Sequence, residues 1–358
     1  MSQSQDNPTP DWSLNCPLPI SQHERILLGH GSGGRLTSEL IHKLFLPAFD
    51  NNILSALEDQ ARLDIPHKSG QLAFTTDSFV IHPIFFPGGD IGKLAVHGTV
   101  NDLAVGGAKP LFLSAAFILE EGLALTDLQR IVLSMQQACQ ESGVALVTGD
   151  TKVVDRGKGD QLYITTTGIG LFTTNHQLSV RSAQPGDRVI VSGTIGDHGI
   201  AIMSVREGIE FETVLESDSA SLAELTALML ETCPNIRWMR DPTRGGVAGA
   251  LNELAEASNV GVKLTESALP VRREVRGACE MLGLDPLHIA NEGKLLAVVS
   301  ADDADRVVQV MREHPLGVNA AVIGTIVADH PGRVTVKSLV GGERLVNMLD
   351  GEQLPRIC

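Results

Sequence analysis

Between Leu111 and Lys152 the sequence passes from an apolar run to an amphipathic helix and back to an apolar run, and that order confines the chain to an α/β fold. Leu111 to Ile118 reads as a buried strand. From Thr126 to Ser142 the residues Leu128, Ile131, Val132, Met135, Ala138 and Cys139 recur on one helical face. Thr126 with Gln129 three positions on forms a capping box, and Gly143 supplies the stop. Cys139 belongs to this core stripe and is assigned no chemistry. Val144 to Thr148 is a strand opening into Gly149-Asp150-Thr151-Lys152, and Gln161 to Phe172 is a further strand.

Upstream, Leu72 to Thr76 alternates like a strand and delivers Asp77 at its end. Asp90 to Gly106 has apolar residues at Ile91, Leu94, Ala95 and Leu103, which predicts a helix with Asn101-Asp102 facing away from the stripe. Pro185-Gly186-Asp187 marks a turn into a second unit. There, strands are expected at Arg188–Ser192, Val260–Leu264, Leu295–Ser300 and Ala321–Val327, with helices over 219–232, 246–257, 271–282 and 302–313. Gly196-Asp197-His198-Gly199 reads as a glycine-rich turn, with His198 structural or lining a cleft.

A chain of 358 residues is too long for one ordinary core, so two domains are expected. The boundaries read as a mobile extension over 1–24, an N-terminal domain over 25–175, a C-terminal domain over 176–338 and a flexible tail over 339–358. Hydrophobic content of 43% and charged content of 20% are those of a globular protein. The net charge of −15 argues against nucleic acid or an anionic membrane as partner, and means that a bound nucleotide needs cations beside it. Five cysteines without a CxxC pair suggest neither a zinc site nor a disulfide framework. Met1 to Asp11 is polar and unlike a signal peptide, and no apolar run approaches membrane-spanning length, so a cytoplasmic location is expected.

Three features carry chemistry. Gly29-His30-Gly31-Ser32-Gly33-Gly34 precedes a helical pattern, where free backbone N–H groups can meet an anion, although it is neither a Walker loop nor a dinucleotide fingerprint. Asp59, Asp77, Asp102, Asp150 and Asp241 stand in short polar or glycine-rich contexts; each alone suits a turn or cap, and together they suit magnesium around a polyphosphate. The third is Cys358, the last residue. Gly341-Gly342, Gly351 and Pro355 favour a loose, extended approach to it, so its thiol reads as a carrier arm whose last 20 residues span at most roughly 65–70 Å.

Taken in order, His30-Gly31-Ser32-Gly33-Gly34, Glu58-Asp59-Gln60-Ala61-Arg62-Leu63, Thr75-Thr76-Asp77-Ser78, Asn101-Asp102-Leu103-Ala104, Gly149-Asp150-Thr151-Lys152, Asp241-Pro242-Thr243-Arg244-Gly245-Gly246, Asn291-Glu292-Gly293-Lys294-Leu295 and Pro355-Arg356-Ile357-Cys358 form a set. From about residue 26 to the end, it resembles the HypE family of hydrogenase maturation proteins, carbamoyl dehydratases of the superfamily that includes aminoimidazole ribonucleotide synthetase, selenophosphate synthetase and thiamine phosphate kinase. The acidic motifs mark the superfamily. Asp150-Thr151-Lys152 and the terminal Pro-Arg-Ile-Cys mark the branch. The extension before residue 26 departs from the family pattern and leaves Cys16 without a role.

The resemblance implies an α/β (α+β) synthetase-like fold of two domains, with the N-terminal sheets pairing across a homodimer. It implies ATP and Mg2+ as cofactors, with Asp59, Asp77, Asp102 and Asp241 as metal holders. His30, Gly31, Ser32, Gly33, Gly34, Asn101, Asp150 and Thr151 would bind the nucleotide, Asp150 being left between a metal and a base role. The implied catalytic residues are Cys358, Lys152 and Glu292: a thiol loaded with a carbamoyl group by the carbamoyltransferase HypF, a cation against phosphate, and a base for the carbamoyl nitrogen. The product would be a thiocyanate that supplies cyanide to iron on a HypC–HypD scaffold. The alternatives are another ATP-dependent synthetase or kinase of the superfamily, such as a selenophosphate synthetase, and a non-catalytic assembly scaffold.

Overall fold

The computed structural model describes residues 23–27, 30, 35–51, 54, 71–172, 176, 178–208, 215–349 and 356–357. The expectations at Cys16, Gly31 to Gly34, Asp59 and Cys358 therefore lie outside the described residues.

The first unit opens with α1 (Arg35–Leu40) and α2 (Leu46–Ala48), joined through a π-helical turn at Ile41–Phe45. It continues through β1 (Leu72–Phe79), the hairpin of β2 (Phe85–Phe86) and β3 (Gly89–Asp90), α3 (Ile91–Val105), β4 (Lys109–Glu120), α4 (Leu125–Ser142), β5 (Ala145–Val154) and β6 (Leu162–Leu171). The second comprises β7 (Arg188–Val191), α5 (Asp197–Glu207), α6 (Ala223–Thr232), β8 (Trp238–Arg240), α7 (Gly246–Ser258), β9 (Gly261–Thr265), α8 (Arg273–Leu282), β10 (Leu296–Val299), α9 (Ala304–Glu313), β11 (Ala321–Val327), β12 (Arg333–Lys337) and β13 (Glu343–Leu345). The fold is α/β, as the sequence implies.

The two sheets are covered differently, and their sequences show why. In the second sheet, ordered β13-β12-β9-β11-β7-β10-β8, the strands β7 (RVIV) and β10 (LAVV) are apolar at nearly every position. Val189, Val191, Leu296 and Val298 pack with α7 on one face, while Ile190, Ala297 and Val299 pack with α6 and α9 on the other. Both faces are buried, so there is no alternation to preserve. The first sheet, ordered β1-β6-β4-β5, has helices on one face only among the described residues. Leu113, Ala115, Phe117 and Leu119 of β4 point to α3 and α4, whereas Ile118 is 41% exposed and Phe74 of β1 is 73% exposed on the opposite side.

Helix α3 is buried nearly all round. The sequence suggested a one-sided stripe with Asn101 outward; instead Asn101 is completely buried, because second-unit residues pack over the face it occupies. Gly92 lets α4 close in, since a Cβ there would sit 2.6 Å from the Ile131 carbonyl. The capping box expected at Thr126 is also replaced: α4 begins at Leu125 after Ala124, with no side-chain cap, while Gly143 ends it in the left-handed conformation at φ 66.

The tail departs furthest from expectation. Residues 343–345 form β13 against β12, Val346 is buried, and Asn252 donates to the Val346 carbonyl. Arg356 and Ile357 are docked again, with Ile357 inside the first hydrophobic core. Among the described residues, 343–346 and 356–357 are thus held against the body, and the ten residues from Leu349 to Cys358 could span at most roughly 30–35 Å.

Candidate active site

Four carboxylates converge where the two units meet. Asp77 lies within β1 rather than at its end, two positions after Thr75, so both side chains face α3. There the Thr75 hydroxyl donates to Asp102 Oδ2 at 2.8 Å. Asp241 follows β8, and Glu292 sits in the stretch leading into β10. Asn101 fixes that stretch: its Nδ2 donates to the carbonyls of Glu292 (2.9 Å) and Ala220 (3.0 Å), and its Oδ1 accepts from Leu222 N. The amide is spent on the protein itself, so Asn101 positions Glu292 rather than offering its hydrogens to a nucleotide.

Asp77, Asp241 and Glu292 hold their protons more tightly than ordinary carboxyls do. Burial, then the Asp102 charge, pushes Asp77 up to about 6, with Arg244 offsetting part of the effect. Asp241 is buried more deeply and reaches about 7, with Asp102 and Asp77 contributing. Glu292 lies well above the usual carboxylate range, first through burial and then through Asp241, Asp218, Asp77 and Asp102; its buried Oε1 has no hydrogen-bond partner. Crowded acids of this kind favour a cation among them. Among the described residues no three such groups form a metal-holding cluster by themselves.

A loop absent from the sequence-based expectations organises the rear of the site. Ser217 to Leu222 precedes α6, and Asp218 Oδ1 accepts from Glu292 N at 3.0 Å. Asp218 Oδ2 stands 3.2 Å from Lys294 Nζ, both side chains being nearly buried. Gly293 allows this approach, since a Cβ there would overlap the Asp218 carbonyl. His198, in the first turn of α5, lies completely buried between this loop and the tail: Nδ1 is 2.8 Å from Ser217 Oγ and Nε2 is 2.7 Å from the Ile357 carbonyl.

Asp150 and Lys152 lie elsewhere in one copy of the chain. They are paired at 2.8 Å, each 63% exposed, on the edge strand β5. The register sets Asp150 beside Ala116 and Lys152 beside Ile118, on the face of the sheet opposite to Asp77. The Lys152 ammonium, with the Thr151 N–H, holds the Asp150 carboxyl below its usual range, which does not suit a base. His30 is buried; its Nδ1 lies 3.0 Å from Leu27 N and 3.3 Å from the Leu27 carbonyl oxygen, and its Nε2 has no partner among the described residues.

Comparison with known proteins decides the family. Residues 57–172 match the N-terminal domain model of AIR synthase related proteins, and residues 184–337 match the C-terminal domain model. Carbamoyl dehydratase HypE of Azotobacter vinelandii is 56% identical over 329 residues, which cover 92% of this chain and 96% of that protein. The chain belongs to the HypE family. A crystal structure of HypE in complex with ATP superposes with a TM-score of 0.89 at 50% identity, covering 93% of this chain and 99% of that one. HypE from a HypE–HypF complex superposes at 0.76 with 47% identity, over 87% and 99% of the two chains.

Within this HypE fold, the sequence reading located Asp77, Asp102, Asp241 and Glu292, which the structure brings together. It missed Ser217 and Asp218 and gave Lys294 no role. Glu216-Ser217-Asp218-Ser219-Ala220-Ser221 has the composition of a linker, so no local signal marked it.

Proposed function

We propose that the chain uses ATP to dehydrate a carbamoyl group carried on Cys358 to a thiocyanate, supplying cyanide for hydrogenase maturation. The single observation that carries this reading is the docking of Ile357, the residue before the terminal thiol, on His198 beside the loop that holds Glu292.

The carbamoyl oxygen attacks the γ-phosphorus of ATP and ADP departs, which turns a poor leaving group into phosphate. The nitrogen gives up one proton as the phosphorylated imidate forms and the second as the carbon–oxygen bond breaks, leaving sulfur–carbon≡nitrogen, ADP and phosphate. Glu292 is the base assigned to the nitrogen, because its buried carboxylate has an oxygen without a partner and a raised affinity for protons. Asp77, Asp102 and Asp241, with Asp59, are the residues that would hold magnesium. Bound there, it would neutralise phosphate charge.

Lys152, Asp150 and Thr151 enter this scheme through a second copy of the chain. The uncovered face of the first sheet carries Phe74 and Ile118 among threonines and serines, a surface suited to self-pairing. Pairing would let one copy's Lys152 serve the other's site. His30, whose buried Nε2 lacks a partner among the described residues, and the loop Gly31 to Gly34 are assigned to the nucleotide. HypF as carbamoyl donor, a HypC–HypD scaffold as acceptor and a cytoplasmic setting complete the proposal. Among the described residues no helix is long and apolar enough to cross a membrane.

The test is to load the chain with carbamoyl, add Mg-ATP and weigh the intact protein. The expected change is the loss of one water from the wild type and none from Glu292→Gln; an unchanged wild-type mass would overturn the reading.

A further inference from the structure

The last described residues, Arg356 and Ile357, are gripped from both units at two places that differ in exposure. At the inner place, the Ile357 carbonyl can only accept, so His198 Nε2 carries the hydrogen and Nδ1 is left to accept from Ser217 Oγ. Ser217 Oγ in turn accepts from Ser219 N at 3.2 Å, which completes the chain of donors and acceptors. Burial keeps the imidazole neutral, in agreement with that tautomer. Phe86 packs edge-on against the ring at 5.6 Å. The same short loop holds the Glu292 backbone N–H through Asp218, so the position of Ile357 is tied to the proposed base by hydrogen bonds and the adjoining Ser217–Asp218 backbone.

At the outer place, Arg206 on α5 donates from its guanidinium to the carbonyls of His82 and Arg356, and His82 N donates to the Arg356 carbonyl at 3.2 Å. The Arg356 guanidinium pairs with Asp160, in the loop between β5 and β6. Asp160 and His82 belong to the first unit; Arg206 and His198 belong to the second. The pairing side chains are partly exposed, 49% for Arg356 and 24% for Asp160, so salt and water weaken this contact while the buried one is insensitive to them.

We propose that these contacts form a two-point catch for the C-terminal tail, in which His198 is a positioning residue for the dehydration and the Asp160–Arg356 pair sets how readily the tail leaves the cleft. The division of labour follows from exposure. A tail that must be loaded outside and used inside needs a seat that is accurate and easily vacated. The inner contact supplies accuracy, where a misplacement near 1 Å costs about a hundredfold in rate. The outer, screened pair supplies a release that a small perturbation can tip. The proposal rests on the dehydratase reading for its rate effects, but its effect on tail exposure stands apart from that reading.

Two measurements on the full-length chain test it: the rate at which iodoacetamide labels Cys358, followed by peptide mass mapping, and the single-turnover loss of water after carbamoyl loading. Asp160→Asn, a change at a partly exposed site, is expected to speed labelling several-fold and slow water loss several-fold, with the KM for ATP unchanged. Salt at about 1 M, where the screening length is roughly 3 Å, should reproduce both effects in the wild type but add little to the variant. Exchanging the charges, Asp160→Arg with Arg356→Asp, should restore both rates. His198→Ala should slow water loss by about a hundredfold, and His198→Gln, which keeps a side-chain N–H donor, should recover part of it. Wild-type labelling and water-loss rates in Asp160→Asn would overturn the outer contact. Equal water-loss rates in His198→Ala and His198→Gln, with both melting like the wild type, would overturn the inner one. If the wild type loses no water at all, the dehydratase reading fails, while the labelling comparison still decides the catch.

Discussion

Asp77, Asp241 and Glu292 each hold a proton more tightly in the folded chain than in the unfolded one. The folded state therefore binds more protons than the unfolded state between pH 3.8 and about 7 for Asp241. Stability of the metal-free protein must fall as pH rises through that window, by at most about 1.4 kcal/mol per pH unit for each proton. Denaturant titrations in EDTA across the window should show this decline, and Asp241→Asn should flatten it and raise stability at pH 8. A wild-type stability that climbs with pH over the same range would contradict the crowding of these acids. The same residues mark the extent of what the sequence discloses. Asp77 lies in a strand and Asp241 directly after one, in motifs short enough to read, whereas the partner of Glu292 is Asp218, 74 positions away in a serine-rich stretch with no pattern to betray it.

Strands and helices whose apolar residues form a run or a periodic stripe were legible, and elements without either were not. Strand β11 occupies Ala321–Val327 as its apolar run suggests, and α9 shows its stripe at Ala304, Val307, Val308 and Met311. Helix α5 was read as a turn because Gly196 and Gly199 bracket His198, and Ile200, Ala201 and Ile202 are buried consecutively, which leaves no helical period. The edge strand β13 is exposed at all three residues and offers no alternation at all. Close approach between elements yields the sharpest mutational expectation. Gly293→Ala would drive a Cβ into the Asp218 carbonyl and to 2.8 Å from Ala220 N, both backbone atoms. The Ser217 to Leu222 loop must then move, at a cost of about 1–3 kcal/mol. Because that loop supports both Glu292 and His198, single-turnover dehydration should fall by about a hundredfold or more, well beyond what the shift in denaturation midpoint conveys. A rate reduced only in proportion to lost folded protein would deny the loop its positioning role.

The whole molecule is built as two units sharing one interior. The first core contains α3 and α4 together with Ile200, Val275, Ile289 and Ile357, so the cleft floor, the second unit and the chain's end are packed as one body. What a single copy leaves uncovered is the outer face of the first sheet. Phe74→Glu should convert the proposed dimer to a monomer in light scattering and lower ATP turnover, since Lys152 would no longer reach a site; a dimer of unchanged mass would refute the sheet-to-sheet pairing. The account as a whole stands on the carbamoyl oxygen becoming a phosphate oxygen. Loading Cys358 with carbamoyl carrying heavy oxygen, adding Mg-ATP in ordinary water and weighing the inorganic phosphate tests this directly. One labelled oxygen per phosphate released is the predicted result, and labelled water with unlabelled phosphate would contradict it.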